Sequence, residues 1–500
     1  DELTEVNMDC TKLIPRDFAL NNSVFPFQMK NNELYVAMRD TNNDELVERL
    51  RLLTRRNVVP CRAKEKQIHL ALKNFYEKAE VENTVEDLKR IFRVEDSMET
   101  DSISKFAELE NSPIIRLTDF IITEAIIKGA SDIHIEPQED KVLIRFRVDG
   151  LLFDAFNLPN DIYRAVITRI KVISDMDISE KRMPQDGKTI YRAGEGKYDL
   201  RISSLPTVYG EKIVIRVLYK SLQRSDLKNL KFNIEDYELM KKALKHNHGM
   251  LLVTGPTGSG KSSTLYAMLN EINSREKNIT TIEDPVEISI SGINQVNVNS
   301  KAGINFASGL RSILRQDPDV ILIGEIRDEE TAAIAVRAAI TGHLVLSTLH
   351  TNDSVSAINR LSEMGIPIYL LGDAIVQIIS QRLVRKICSN CRITYDSSQK
   401  EKQILGLKSE KLHKGKGCPK CNFTGYSGRQ AVCEVLHIDD RFRRMILRNE
   451  NDVSLREYLK KTKMRFLTDN CRDLVIKGIT TFDEYIRLCN GEIIVEEAEE

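Results

Sequence analysis

The sequence predicts a multidomain α/β protein whose carboxy-terminal half is a mainly parallel β-sheet covered by helices. Three observations point there. From about residue 223, apolar strand patterns alternate with amphipathic helix patterns. A glycine-rich stretch, GPTGSGKSS (Gly255–Ser263), sits between one such strand and one such helix. Two CxxC pairs, Cys388/Cys391 and Cys418/Cys421, mark a metal module within the same region. The 500 residues suffice for roughly three domains at ordinary domain sizes. With 41% hydrophobic and 29% charged residues the chain can pack cores, which excludes wholesale disorder. A formal net charge of −1 argues against a dedicated nucleic-acid binder.

Residues 1–76 read as mixed α/β. ELYVAMRD is a strand running into a turn, and DELVERLRLLTRR a helix with Leu46, Leu50 and Leu53 on one face. Residues 77–112 are charged and weakly periodic, a linker with some helical content. A new unit spans 113–222. In KVLIRFRVDG, Val142, Ile144, Phe146 and Val148 alternate with Leu143, Arg145 and Arg147, and Asp149-Gly150 makes a turn. YDLRISSLP and EKIVIRVLY follow as a strand pair around a turn containing Gly210. In 223–500 the strands are MLLVTG, ITTIED, INQVNVN, VILIGEI and LVLSTLH. IPIYLLGDAIVQIIS (366–380) is cut by Asp373 and reads as a buried helix, so nothing in the chain is expected to span a bilayer. No fixed-period repeat is seen. The closing EEAEE reads as a solvated acidic tail. No secretory signal opens the sequence, and the first residue, Asp1, leaves room for a preceding segment.

GPTGSGKSS fits GxxxxGK[ST] in the context that motif needs. It follows Met250–Val253 and precedes a helix with Leu265, Met268, Leu269 and Ile272 on one stripe. Gly255, Gly258 and Gly260 let backbone N–H groups approach phosphate oxygens. Thr257, Ser259 and Ser263 complete the loop, Lys261 meets the β- and γ-phosphates, and the Ser262 hydroxyl is placed to ligate Mg²⁺. Hydrolysis needs a further group to orient or deprotonate water. DVILIGEIRD puts Gly324 where an Mg²⁺-organising Asp often ends such a strand, with Glu325 next. Glu283 and Asp284 end another strand in TIEDPVE. A lone strand-end acid is usually solvated, but two strands delivering carboxylates to the edge that carries a phosphate loop point to function. His343 and His350 bracket HLVLSTLH as strand-end histidines or γ-phosphate sensors. A spacing of seven separates them too far for a metal pair. Arg201 alternates with Leu200 and Ile202 as a solvent-facing residue would. Arg216 shares a face with Val214 and Leu218, and if buried there it requires an anion.

Nine cysteines with two matched CxxC pairs suit a metal site in a reducing, cytosolic compartment. Four thiolates in two knuckles suit tetrahedral, structural Zn²⁺ better than redox chemistry or an iron–sulfur cluster. The intervening KSEKLHKGKG is polar and basic, so metal binding is expected to fold that segment.

Together TGPTGSGKSSTLYAMLN, TIEDPVE, GLRSILRQDPDVILIGEIRDEETAAIAVRAAITGHLVLSTLHTND and QRLVRKIC resemble the secretion-ATPase superfamily, and within it the type II secretion and type IV pilus assembly ATPases. The resemblance continues through SDIHIEP, DLRISSLPTVYGEKIVIRVL and CPKCNFTGYSGR over most of 113–435. A weaker similarity in LIPRDFALNNSVFPF and ELYVAMRD covers 12–76 as part of the family's amino-terminal domain. It implies a RecA-like P-loop ATPase core (223–500) with a zinc module at about 385–435 and a helical carboxy-terminal part. A PAS-like domain (113–222) carrying Arg201 and Arg216 as arginine fingers precedes it. By the same resemblance Glu325 is the catalytic base of a Gly-Glu Walker B segment. Glu283, Asp284 and Glu287 match an Asp box tied to Mg²⁺ and water, and His343 and His350 match a His box that senses the γ-phosphate. The implied cofactors are ATP, Mg²⁺ and Zn²⁺. The implied assembly is a cytoplasmic homohexamer at the inner face of the membrane. It would act with an inner-membrane platform protein and accessory assembly proteins, without nucleic acid, to polymerise pilins. Type II secretion is the alternative, ahead of a DNA-translocating motor or a non-catalytic scaffold. Ser262-Ser263 departs from the frequent Thr-Thr but keeps the metal-binding hydroxyl. The tetracysteine pattern and the amino-terminal portion set the chain apart from retraction ATPases. Some family amino-terminal domains bind cyclic-di-GMP; the motif characteristic of those is not found in this sequence, which leaves room for it in a segment before Asp1.

Overall fold

The computed structural model describes residues 10, 13–30, 32–63, 67, 68, 71, 72, 113–194, 196–219, 226–407, 411–462 and 464–489. The expected linker at 77–112 and the acidic tail lie outside them. The chain divides into two compact units, 1–219 and 220–500.

The first unit opens with α1 (Arg16–Asn21), β1 (Val24–Lys30), β2 (Glu33–Met38), α2 (Asp44–Thr54) and β3 (Asn57–Arg62), the strands forming one sheet in that order. Asn43 caps α2 by accepting the Leu46 N–H, and Asp44 and Glu45 complement its positive end. The buried stripe of α2 is Val47, Leu50 and Thr54, whereas Leu53 is 42% exposed. The Leu46/Leu50/Leu53 face expected from sequence is therefore rotated toward Thr54, whose hydroxyl satisfies itself on Leu50 O at 2.7 Å.

The same unit continues with α3 (Pro113–Ile127), β4 (Ala130–Pro137), β5 (Val142–Val148), β6 (Leu151–Leu158), α4 (Asn160–Ile173), β7 (Gln185–Ala193), β8 (Gly196–Thr207) and β9 (Gly210–Leu218). The antiparallel sheet runs β6-β5-β4-β9-β8-β7. Its inner face (Ile133, Ile135, Ile144, Phe146, Ile202, Ile215) packs with Ile121 of α3 and Val166 of α4 in one core. Asp149 and Gly150 both take positive φ in the β5–β6 turn, as that tight hairpin requires. On the polar face Arg201 lies directly opposite Arg216, and Arg216 directly opposite Asp132.

The second unit contains α5 (Ile234–Ala243), β10 (Gly249–Thr254), α6 (Lys261–Ile272), β11 (Ile279–Glu283), β12 (Asn294–Asn297), α7 (Phe306–Ile313), β13 (Val320–Ile323), α8 (Glu329–Ile340), β14 (Leu344–Leu349), α9 (Ser354–Glu363), α10 (Ile368–Ala374), β15 (Ile375–Ile387), β16 (Arg392–Asp396), α11 (Gln399–Leu405), β17 (Lys411–Gly415), β18 (Tyr426–His437), α12 (Asp440–Leu447), α13 (Asp452–Lys461), α14 (Leu467–Ile476) and α15 (Phe482–Cys489). Its main sheet runs β12-β11-β13-β14-β10-β15-β18, parallel except for β18 against β15. Both faces are covered. Met250, Leu252, Ile321 and Ile323 enter one core, while Leu251, Val253, Leu322 and Leu346 enter the other. Burial on both faces explains why these strands read as unbroken apolar runs. It also explains a correction. The stretch 366–380 is not one buried helix, because α10 ends at Ala374 and β15 begins at Ile375 between β10 and β18. An apolar run buried on all sides has the same local pattern in either conformation. Among the described residues no helix is long and apolar enough to cross a membrane.

Candidate nucleotide site and metal centre

The phosphate loop joins β10 to α6. Gly258 and Gly260 adopt φ of 79° and 89°, the left-handed region that glycine enters without penalty. Gly260 is the N-cap of α6, and its first N–H groups have no side-chain cap, the arrangement in which a helix start accepts an anion. Lys261 is 9% exposed, and its Nζ donates to Gly255 O at 2.7 Å and Pro256 O at 3.2 Å. Burial draws the ammonium down to about 8, against the opposing pull of Glu325. Ser262 and Thr257 are exposed, Ser263 is half-buried and Ser259 buried.

Parallel pairing gathers distant residues at this edge. Thr254 is level with Leu349, and Ile323 with Ser347 and Ile282. Gly255, His350 and Glu325, just past these strand ends, and Glu283, the last residue of β11, therefore stand at the same edge of the sheet. Glu325, 14% exposed, is held by Arg327 Nη2 at 2.6 Å, with His350 Nε2 at 3.5 Å. Burial lowers the His350 pKa, with Lys261 reinforcing the shift and Glu325 opposing it. Thr254 and Thr351 hydroxyls meet at 2.5 Å and tie the ends of β10 and β14 together.

One expected site residue stands elsewhere. His343 precedes β14, whose six residues span about 20 Å. It lies at the opposite edge of the sheet, with Nδ1 3.1 Å from Ala338 O, and is not part of the Glu325–His350 cluster. Glu283 is 5% exposed, and its carboxylate accepts hydrogen bonds from Tyr266 Oη, Thr281 Oγ1 (2.6 Å) and Gln295 Nε2 (3.2 Å). That engagement ties it to α6 and β12. Tyr266 Oη also accepts the Glu287 N–H at 3.1 Å, while Asp284 is exposed. Tyr266, Thr281, Gln295 and Arg327 were not singled out from sequence. Only Arg327, two places past Glu325 in GEIRD, gave a local signal, a charge beside a strand-end acid.

In the first unit Arg216 is not buried. Its side chain is 60% exposed, and Nε lies 3.2 Å from Asp132 Oδ1. An anion was required only of a buried Arg216; exposed, it nevertheless pairs with the Asp132 carboxylate.

The four cysteines of the CxxC pairs converge, with all Sγ atoms within 4.8 Å of one another. Cys388–Cys418, Cys391–Cys421 and Cys418–Cys421 separations are 3.9, 3.8 and 3.7 Å. Tetrahedral Zn–S bonds of about 2.3 Å place sulfurs about 3.8 Å apart, so the cage fits that ion. Asn390 Nδ2, Cys418 N–H and Gly425 N–H point at sulfur, each at 3.3 Å, as donors to thiolates do. Burial pushes the Cys391 thiol up to about 12; at Cys418 the same burial is outweighed by the Asn390 and Cys421 donors, which bring it to about 7.

The model of the type II/IV secretion system protein family matches residues 107–487, and that of the MshEN domain matches residues 1–82. The type IV pilus assembly ATPase PilB of Thermus thermophilus is 40% identical over 95% of the chain, and the chain spans 54% of that relative's length. PilB of Myxococcus xanthus is 39% identical over 96% of the chain and 87% of its own length. The type II secretion system ATPase E of Vibrio cholerae is 44% identical over 76% of each. Among solved structures, the pilus retraction motor PilT with bound ADP is 27% identical, covering 74% of this chain and 96% of its own at a TM-score of 0.51. The Legionella pneumophila ATPase DotB, 22% identical, shares the fold over 75% of this chain and 96% of its own at a TM-score of 0.55.

Proposed function

Since the chain belongs to the type II/IV secretion system protein family, we propose that it is a P-loop ATPase that hydrolyses ATP to power type IV pilus assembly, acting as a homohexamer on an inner-membrane platform protein. The observation that carries the enzymatic reading is Glu325. It stands at the phosphate-loop edge, oriented by Arg327 at 2.6 Å, beside a histidine that burial keeps toward its neutral form. A carboxylate fixed by a guanidinium and placed next to the phosphate cradle can orient and polarise a water for attack on the γ-phosphoryl group.

In this reading Lys261 leaves the loop carbonyls for the β- and γ-phosphates. The Gly258–Ser263 backbone cradles the same oxygens, and Ser262, with Asp284 at the exit of β11, would hold Mg²⁺, which neutralises phosphate charge. His350 reports the γ-phosphate to Glu325. Arg201 and Arg216 supply guanidinium groups to charge developing on the transferred phosphoryl. The four cysteines would hold Zn²⁺ as a structural ion. Cytoplasmic placement at the inner membrane face, with accessory assembly proteins and without nucleic acid, belongs to the same proposal.

Pilus assembly is favoured because the PilB relatives match 95–96% of the chain, its amino-terminal domain included, whereas the Vibrio cholerae secretion ATPase matches 76%. Type II secretion stands second, on the ATPase of Dickeya dadantii, 46% identical over 77% of this chain. The test of the enzymatic reading is Glu325→Gln. ATP turnover should fall at least about 100-fold while Mg-ADP affinity stays within a few-fold of wild type. Wild-type turnover in that variant would remove the assignment.

A further inference from the structure

We infer that Gln381 is a positioning residue for nucleotide binding: from β15 it sets the orientation of the phosphate-loop peptide that precedes Lys261. The inference rests on the reading of Gly255–Ser263 as the phosphate cradle and adds a residue to which no role has so far been attached.

Gln381 is 1% exposed, and its amide is used at both ends. Nε2 donates to Ser259 O at 2.8 Å, and Oε1 accepts from Thr264 Oγ1 at 2.6 Å. Ser259 and Thr264 are themselves buried. The ladder explains the position. Thr254, the last residue of β10, is level with Ser380, so Gln381 runs alongside the first residue of the loop. There the fit is tight. A Cβ added at Gly255 would strike Gln381 O, and one at Gly260 would come within 2.8 Å of Gln381 Nε2. Two glycines of the motif are thus glycines partly because β15 occupies the space their side chains would need.

The chemical consequence follows from the trans peptide. In the Ser259–Gly260 unit, C=O and N–H point in opposite directions. Anchoring Ser259 O to Gln381 on the β15 side turns the Gly260 N–H away from β15, toward the interior of the loop, where phosphate oxygens accept backbone N–H groups. The role needs a donor and an acceptor on one uncharged side chain long enough to bridge a loop carbonyl and a helix hydroxyl. Glutamine supplies both; a glutamate would set an acceptor against Ser259 O, and leucine would leave both partners buried and unpaired. The neighbouring Arg382 donates to Asn352 O at 2.9 Å, so the same strand also holds the segment that follows His350.

The test measures Mg-ADP affinity of the full chain by calorimetry for Q381L, T264V, T264S and the Q381L/T264V pair. Thermal melts of the nucleotide-free proteins confirm folding. Expected are a roughly tenfold weaker Kd for Q381L and about threefold for T264V, with T264S at the wild-type value and the double variant no weaker than Q381L. Unchanged affinity in folded Q381L overturns the inference. So does a double variant whose losses multiply, since Thr264 and Gln381 would then act separately. If Q381L does not fold, the T264V/T264S contrast decides: equal affinities overturn, and loss restored by serine supports. A Lys261→Ala variant run alongside separates the two readings. If it binds Mg-ADP like wild type, the phosphate-loop assignment itself fails, whatever Gln381 does.

Discussion

Nucleotide binding should be coupled to proton uptake at Lys261. In the free protein burial lowers this ammonium to about 8, and its Nζ is occupied by Gly255 O and Pro256 O. Phosphate oxygens replace those carbonyls on binding and favour the charged form, so the bound pKa lies above the free one. The sign follows. Below about pH 8 most free molecules carry the proton, and affinity is independent of pH. Above it a proton must be taken up, and affinity falls. With a free pKa of 8, the protonated fraction is about 90% at pH 7 and about 10% at pH 9. If only the ammonium form binds, the apparent Kd for Mg-ADP should rise about tenfold between those two values. At pH 8 binding should take up about half a proton, visible as a buffer-dependent enthalpy when calorimetry is repeated in two buffers of different ionisation enthalpy. Lys261→Arg supplies the control. Its guanidinium stays charged throughout, so whatever its absolute affinity, the dependence on pH should vanish. A Kd that is flat from pH 7 to 9 with no buffer dependence would refute the reasoning. It would mean either that Lys261 is fully charged in the free protein or that it does not meet the phosphates.

Two further outcomes concern the parts around the site. Purified protein should carry one Zn²⁺ per chain by atomic emission. A C418S/C421S variant should lose it together with hydrogen-exchange protection in β16 and β17, while β10 and β14 keep theirs; retained protection without metal would show that the knuckles fold unaided. Asp353 caps α9 through Ser356 N–H (2.9 Å) and receives Arg456 at 3.0 Å, contacts that overcome burial and hold its carboxyl below its ordinary value. Asp353→Ala should cost about 1–2 kcal/mol in denaturant unfolding at pH 7. Because the folded pKa is depressed, the contribution is full above the unfolded value of about 3.9 and is lost as pH falls through the folded one. The gap between variant and wild type should therefore narrow in acid, and a constant gap would assign the effect to packing.

What could be read from the chain follows from how each feature is encoded. The phosphate loop was legible because its strand, glycines, lysine and helix are contiguous, and the structure places Gly255–Ser263 between β10 and α6 as the motif demands. Glu325 was legible for the same reason, as the acid just past a run of four buried apolar residues. Features set by pairing were not. The strand at 375–387 hid inside an apolar run because two covered faces erase the period that separates strand from helix. The pairing of Arg216 with Asp132 left no local mark, because it arrives through β4–β9 register, 84 residues away in sequence. His343 and His350 looked equivalent, yet a strand has two ends, and only the carboxyl end of β14 is level with the phosphate loop. The same geometry explains the site itself. In a parallel sheet every strand reaches the same edge with its carboxyl end, so residues far apart in the chain meet there without any local signal that they will. Acids, histidines and the loop each announce themselves in sequence. Which of them meet is decided by strand order β12-β11-β13-β14-β10-β15, and that order places the Glu325 strand two positions from the loop, with β14 and His350 between them. Placing His350 between the carboxylate and the phosphate loop is therefore a property of the sheet order rather than of any one motif, and a permutation of those strands would preserve every motif while separating the groups that the proposed chemistry needs together.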